Sequence, residues 1–267
     1  MKQVSNKNKI RILYAILGLT VGVGLYFAAG LYMEMRTIGQ GQAFYATLSV
    51  EVKPRQAAAA MRPAAQSIRE VAAAEPQQLV DFDAMREMFP DIVGWIQSEG
   101  TVINYPIVLG DDNDFYLYRL ADGTRNAMGS IFMDYRNLAD FSDGNIVIYG
   151  HDMRSGDKFG SFRNYRDQQY FERHSTMFIF TPQRDFELVI FAGFLLDSAY
   201  EVPPMSFRDE ADFDQYIADI TRRSFFRSDV EVEYGDQLVF LATCTPTGSI
   251  NERMIIVGKL AELQVWE

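Results

Sequence analysis

The segment Val239–Val257, which reads VFLATCTPTGSINERMIIV, constrains the fold more than any other part of the chain. It holds most of two apolar runs rich in β-branched residues, 237–243 and 254–259, and such runs are typical of buried strands. The residues between the runs are rich in turn formers. We therefore predict two antiparallel strands joined by a surface loop, with Cys244 at the end of the first strand and Arg253 at the start of the second.

The N-terminal region predicts a single-pass membrane protein. Four basic residues precede Ile12–Met33, a run of 22 residues without a charged side chain. At about 1.5 Å per residue, a helix of that length spans roughly 33 Å, enough for the hydrocarbon core of a bilayer. A cleaved secretory signal is the alternative, but its apolar region is only about 7 to 15 residues long. The positive-inside rule places residues 1–11 in the cytoplasm and the rest of the chain outside.

Charge and composition exclude several classes of partner. Removing the four N-terminal bases from the 25 Lys and Arg leaves 21 against 36 Asp and Glu, a net charge of −15 after residue 33. Such a surface repels phosphate backbones, so we expect no nucleic-acid partner. The two histidines and one cysteine lack ligand spacing, so we predict no metal site.

Cys244 is the one cysteine of the chain. A thiol attacks as its thiolate, and a nearby guanidinium favours that form or stabilises the oxyanion that follows attack on a carbonyl. The alternative is that Cys244 is a small buried apolar residue. A lone cysteine in an extracytoplasmic domain cannot form an internal disulfide, and an exposed inert thiol is a liability in an oxidising compartment. We therefore interpret Cys244 as a nucleophile.

The region after the membrane segment divides into a linker and one folded domain. Residues 34–78 are rich in Ala, Gln, Arg and Glu and are interrupted by prolines, which predicts a stalk of broken helix without a face apolar enough for a core. A short helix, Leu79–Phe89, is closed by Pro90. The extracytoplasmic domain is predicted to span residues 79–267.

Short strands dominate this domain, which favours a closed β-barrel or a sandwich. A longer helix, Asp209–Phe226, has apolar residues at i, i+3, i+4 and i+7, starting at Phe213, and is predicted to be inserted between two strands. The predicted strands are Val93–Gln97, Val102–Val108, Ser130–Met133, Asn145–Tyr149, Met177–Thr181, Phe186–Phe194, Val230–Glu233, 237–243 and 254–259.

A second strand end carries a candidate base. The run Asn145–Tyr149 is followed by Gly150 and His151, and we interpret it as a buried strand ending in a glycine turn that presents the histidine. This is the same design that presents Cys244, so the two strand ends are predicted to meet at one rim of a barrel. The alternative for His151 is a hydrogen-bonded structural histidine. His174, among charged residues, is interpreted as a solvated surface residue.

These residues resemble the sortases. Leu241-Ala-Thr-Cys244 with the downstream Arg253 is similar to the Leu-x-Thr-Cys and Arg signature of that family, and Tyr149-Gly-His151 resembles its catalytic histidine segment. The resemblance covers about residue 80 to the C-terminus. It departs from the pattern at Ala242 and at Thr245-Pro246. Four further features resemble class B sortases, namely Gly129–Asn137, Gly94-Trp95, Tyr105-Pro106 and the inserted helix.

The resemblance implies an eight-stranded barrel with an N-terminal helical element and a cysteine transpeptidase of Gram-positive bacteria. Such enzymes cleave a C-terminal sorting motif of a secreted protein and join it to an amine of a peptidoglycan precursor or of a pilin. Cys244 would be the nucleophile, His151 the acid and base, and Arg253 the residue that holds the oxyanion. The cysteine chemistry that the resemblance implies needs no cofactor. Asn113, Leu117 and Thr243 match class B positions that line the peptide groove. The alternative for the first two is a turn asparagine and a core leucine.

Two alternatives stay open at this point. One is a pilus-type polymerase or a plain cysteine protease, which share the nucleophile but differ in the acceptor. The other is a membrane-tethered binding barrel without enzymatic activity. The co-occurrence of Cys244, His151 and Arg253 argues against a binding barrel, because such a module has no reason to place all three at strand ends.

Overall fold

The computed structural model describes residues 6–51, 80–197, 203–244 and 252–263. The chain divides into two compact units, residues 1–44 and 45–267. Helix α1 spans Asn6–Glu51. Among the described residues, one helix is long and apolar enough to cross a membrane, Ile10–Leu48, and its most apolar part is exposed. The predicted membrane segment Ile12–Met33 lies within it, which is compatible with an anchor.

The predicted stalk differs in part from what the structure describes. Residues 34–51 continue α1 without a break, and residues 52–79 lie outside the described residues. Tyr45 and Leu48, in the last turns of α1, are buried in the unit 45–267, although the stretch was predicted to contribute nothing to a core. These two apolar residues lie three positions apart in the helix, and the overall composition of residues 34–78 did not indicate them. The domain limits stay a prediction.

Eight strands form a closed barrel, which confirms the predicted mainly β fold. The strands are β1 Ile92–Gln97, β2 Asn104–Leu109, β3 Ile131–Met133, β4 Asn145–His151, β5 Thr176–Phe180, β6 Asp185–Asp197, β7 Leu238–Cys244 and β8 Glu252–Glu262. Their order around the barrel is β1-β2-β3-β4-β7-β8-β6-β5. The pairs β2–β3 and β4–β7 are parallel, and the other pairs are antiparallel.

Helices cover parts of the barrel. Helix α2 (Phe82–Met88) begins after Asp81, whose side chain accepts a hydrogen bond from the Ala84 amide. Three short elements were not predicted, namely a 3₁₀ turn at Tyr116–Tyr118, the 3₁₀ helix Phe159–Arg166 and α3 (Gln168–Arg173). The inserted helix is α4 (Glu210–Arg223), and its N-cap is Asp209.

One predicted strand, Val230–Glu233, is wrong. The barrel is already closed by eight strands and leaves no edge for a ninth. Side chains bind backbone amides of this segment instead, since Ser228 Oγ accepts from the Val230 amide and Asp236 Oδ2 from the Glu233 amide. Acidic and apolar residues alternate here because the segment lies on the surface, where the side chains of Glu231 and Glu233 are exposed.

The parallel pair β4–β7 forms the centre of the core. All residues of β4 are buried, and Val239–Ala242 of β7 are fully buried. Strands buried on both faces require continuous apolar runs rather than alternation, which these two strands have. Both strands end at the same rim, and this fixes the positions of their last residues.

The packing of α4 gives a testable stability prediction. Phe213 is 1% exposed and Ile220 0%, whereas Ile217 is half-buried. Replacing Phe213 by Asp places a carboxylate on this buried face. The free energy of unfolding should therefore fall by about 2 to 4 kcal/mol. The matched control is Ala211→Asp on the exposed face of the same helix, which should leave thermal unfolding nearly unchanged. Equal melting temperatures for the two variants would mean that the Phe213 face is not part of the core.

Candidate active site

The ends of β4 and β7 bring the candidate nucleophile and base together. In the parallel register, Gly150 pairs with Thr243 and His151 pairs with Cys244. Their backbones are therefore neighbours at one rim, as the sequence predicts. Gly150 does not form the predicted turn, because it lies inside β4. A side chain there would meet Ile131 Cδ1 at 2.5 Å and the Phe159 ring at 2.6 Å, so packing explains the glycine. The side chain of Cys244 lies outside the described residues.

Arg253 reaches the same rim from β8. The last antiparallel pair between β7 and β8 is Ala242 with Ile255, so continuing this register places Cys244 opposite Arg253. The Arg253 side chain is half-buried, and its charge acts on the Tyr149 hydroxyl of β4. Such a cation beside a nucleophile suits the stabilisation of a developing oxyanion.

The His151 ring is oriented by a backbone carbonyl. The side chain is 5% exposed, and Nε2 lies 2.5 Å from the carbonyl oxygen of Leu117. A carbonyl oxygen only accepts, so Nε2 carries the hydrogen in this arrangement. Nδ1 is then the nitrogen that gains or loses a proton. Fixing one ring nitrogen in this way defines which nitrogen is used for acid–base chemistry.

Gly129 allows this contact to form. Its φ is +57°, a conformation that favours glycine. A Cβ at this position would lie 2.5 Å from the Leu117 carbonyl oxygen, 2.8 Å from His151 Cδ2 and 2.9 Å from Nε2. Only a residue without a side chain therefore leaves room for the His151–Leu117 hydrogen bond.

Comparisons with known proteins identify the family. The family model described as the sortase domain matches residues 96–261. The chain belongs to the sortase family. It is 33% identical over 177 residues to sortase B of Listeria monocytogenes, covering 66% of this chain and 72% of that protein.

Solved structures place this sortase in class B. The Staphylococcus aureus sortase B–substrate complex superposes with a TM-score of 0.65 at 28% identity, covering 68% of this chain and 85% of that chain. A structure of sortase B complexed with triglycine gives a TM-score of 0.63 at 28% identity, covering 68% and 86% of the two chains. Relatives at this level of identity support a cysteine transpeptidase.

The residues predicted to bind substrate in this sortase have structural contacts as well. Asn113 Nδ2 donates to Asp134 Oδ2 at 3.0 Å, and its Oδ1 accepts from the Tyr135 amide at 3.1 Å. Thr243 is 3% exposed, and its Oγ1 accepts from the Met254 amide at 2.9 Å. The Leu117 side chain is half-buried, whereas its carbonyl binds His151. Their roles toward a substrate stay predictions.

Sequence reasoning missed two aromatic residues near His151. The ring of Tyr118 lies 6.1 Å from that of His151 and is 55% exposed, and Phe115 on the same loop is also exposed. Their rings form part of the surface beside the rim. His174, which was interpreted as a surface residue, is partly exposed, and its Nδ1 lies 3.1 Å from the Glu99 carbonyl oxygen. No cluster suited to a metal ion occurs among the residues with described positions.

Asp134 organises the loop that carries Asn113. Its side chain is fully buried and accepts hydrogen bonds from Arg136 Nε, Arg136 Nη2 and the Tyr149 hydroxyl as well as from Asn113. Burial by itself would raise the pKa of the Asp134 carboxyl, but these hydrogen bonds outweigh it and lower the pKa from 3.8 to about 2. Burial and the neighbouring Asp134 carboxylate raise the pKa of the Tyr149 hydroxyl, whereas the charge of Arg253 acts in the opposite direction.

The lowered pKa of Asp134 predicts that the stability of the fold depends on pH. Because the folded-state pKa of Asp134 lies below the ordinary value, the contribution of the ionised carboxylate to stability is complete above pH 3.8 and is lost as the pH falls through about 2. Asp134→Asn should therefore have a lower free energy of unfolding than the wild type at pH 7. The gap between the two free energies should close as the pH falls from 4 to about 2. Urea unfolding across this range measures the gap. A gap that is independent of pH would mean that the carboxylate is not charge-stabilised.

Proposed function

We propose that this sortase is a membrane-anchored transpeptidase that cleaves a C-terminal sorting motif of secreted proteins through a thioacyl intermediate on Cys244. It then joins the cleaved protein to an amine of a cell-wall precursor. The observation that carries the proposal is the pairing of His151 with Cys244 at one rim, where Arg253 follows in the register of β8. Nucleophile, acid and base, and oxyanion donor are the three groups that acyl transfer requires.

The steps of the reaction follow from these groups. The Cys244 thiolate attacks the scissile carbonyl carbon, and Arg253 donates to the oxygen that becomes negative. The C–N bond breaks as protonated His151 gives its Nδ1 proton to the leaving amine, which yields a thioester. The incoming amine attacks this thioester and loses a proton to Nδ1, and the thiolate departs. The Leu117 carbonyl accepts from Nε2 throughout and favours the imidazolium, because hydrogen bonds from a charged donor are stronger.

The partners are proposed from the relatives. The S. aureus structure holds a substrate, and another sortase B structure holds triglycine. For this chain we propose a sorting-motif substrate and a glycine-type amine acceptor. A pilin lysine as acceptor, which would make the enzyme a pilus-type polymerase, and water, which would make it a protease, are the alternatives.

The acceptor is tested with a fluorogenic sorting peptide and the purified full chain in detergent. Parallel reactions contain no amine, triglycine or a lysine-bearing peptide, and mass spectrometry identifies the products. The proposal expects a triglycine conjugate that increases at the expense of hydrolysis. A conjugate with the lysine peptide alone would support the pilus-type alternative. Hydrolysis without any amine product, at every amine concentration, would support a protease.

Topology is tested in protoplasts. If Ile12–Met33 remains in the mature protein with the N-terminus in the cytoplasm, protease added outside should degrade the barrel and spare the N-terminal tail. The fragments are detected with tags at the two termini, and a cytoplasmic protein serves as the control for intact protoplasts. A soluble form that begins near Gly30 would show cleavage and remove the anchor from the proposal.

A further inference from the structure

A buried lysine lies between two tyrosine rings, at the end of the loop that follows His151. Lys158 is 0% exposed, and its Nζ lies 3.1 Å from the ring centroid of Tyr45 and 4.2 Å from that of Tyr105. Nζ has no hydrogen-bond partner within the described residues. Burial lowers the pKa of the Lys158 ammonium well below its ordinary value, whereas two ring faces favour the charged form. The side chain is therefore held by aromatic contacts rather than by hydrogen bonds.

Lys158 closes the loop that follows His151. Its backbone pairs with Asp152, the residue immediately after His151, and its amide donates to the Tyr105 hydroxyl at 3.3 Å. Lys158 also has a φ of +54°, which is uncommon for a residue with a side chain. Such a conformation persists only where surrounding contacts enforce it. The ring of Tyr45 supplies one of these contacts.

The hydroxyl of Tyr45 binds the loop on the other side of His151. Tyr45 Oη donates to the Gly129 carbonyl at 3.0 Å and lies 3.0 Å from Ser130 Oγ. Ser130 Oγ in turn donates to the Arg119 carbonyl at 2.8 Å. Gly129 packs directly against the His151 ring and the Leu117 carbonyl. One side chain thus contacts both loops that flank the histidine.

We infer that Tyr45 is a positioning residue for His151. The Tyr45 ring packs against Lys158 and so supports the loop 152–158. The Tyr45 hydroxyl binds the Gly129 carbonyl and holds Gly129 in place. Gly129 in turn leaves the room that the His151–Leu117 hydrogen bond needs. Loss of the hydroxyl frees Gly129 and loosens the hydrogen bond that holds the hydrogen on Nε2. The catalytic part of this inference rests on the proposed function, whereas the state of the His151 ring does not.

The ring state is tested by nitrogen NMR of the full chain in detergent. The chain has two histidines, so ¹⁵N-histidine labelling gives signals from His151 and His174 only, and His174→Gln assigns them. In the wild type, the neutral His151 ring should carry its hydrogen on Nε2. In Tyr45→Phe, which keeps the ring over Lys158, a mixture of the two tautomers should appear, while the His174 signals stay unchanged.

Tyr165→Phe is the matched control, because it also removes a buried hydroxyl that donates to a carbonyl, that of His174, at 2.7 Å. With the fluorogenic peptide, Tyr45→Phe should lower kcat by about tenfold at unchanged KM, since small displacements of a catalytic group are costly. Tyr165→Phe should leave kcat and the His151 signals unchanged, even if it lowers the melting temperature as much as Tyr45→Phe does.

Identical His151 signals in Tyr45→Phe and the wild type would overturn the inference. If no form turns over peptide, the proposed function fails, and the ring signals still decide the role of Tyr45.

Discussion

Replacing Cys244 by alanine should abolish both cleavage of a sorting peptide and formation of a thioacyl adduct, because the nucleophile is gone. Replacing His151 by alanine should leave an alkylatable thiol but lower turnover by roughly 10²- to 10⁴-fold, the usual contribution of a positioned acid and base. Intact-protein mass spectrometry detects the adduct, and steady-state kinetics measures the turnover. The two losses differ in kind, since only the first removes the covalent step.

The second histidine provides the control for His151. His174 lies outside β4, with its Nδ1 against the Glu99 carbonyl oxygen. His174→Ala should therefore retain turnover close to that of the wild type. Full activity in Cys244→Ala would overturn the catalytic assignment, and equal losses in the two histidine variants would mean that His151 contributes only to the fold.

The strand ends of the site could be predicted because buried strands leave a visible pattern. The runs that end at His151 and at Cys244 are continuously apolar, as expected for strands buried on both faces. The pattern carries no information on which strands are neighbours. The parallel pairing of β4 with β7 is a property of the barrel topology, and the sequence predicted only that the two strand ends meet at one rim.

The groups that orient His151 could not be predicted from residue types. Leu117 acts through its backbone carbonyl, which every residue has, so its identity gives no signal. Gly129 is required both by its positive φ and by a contact between distant segments, and the second of these leaves no local signal. Tyr45 lies 85 positions before Ser130, in a stretch whose composition indicates a stalk. Contacts at such separations depend on tertiary packing, and local periodicity does not encode them.

The segment Val230–Glu233 was predicted to be a strand and is not one. It has the alternation of a strand, but a strand also needs the edge of a neighbouring strand to pair with. The closed barrel offers none, and local side chains satisfy two of the segment's amides. Global closure thus overrides the local propensity.

Replacing Arg253 should reduce stabilisation of the transition state. Arg253→Ala should keep the thiol reactive toward alkylating agents but lower turnover by about 10²- to 10³-fold, or about 3 to 4 kcal/mol, as expected for loss of an oxyanion donor. Arg253→Lys should recover only part of this loss, because a point charge does not reproduce the guanidinium fork. Arg222→Ala is the control, since Arg222 pairs with Asp219 on α4 rather than at the rim. A rise in KM at unchanged kcat would instead assign Arg253 to ground-state binding of the substrate.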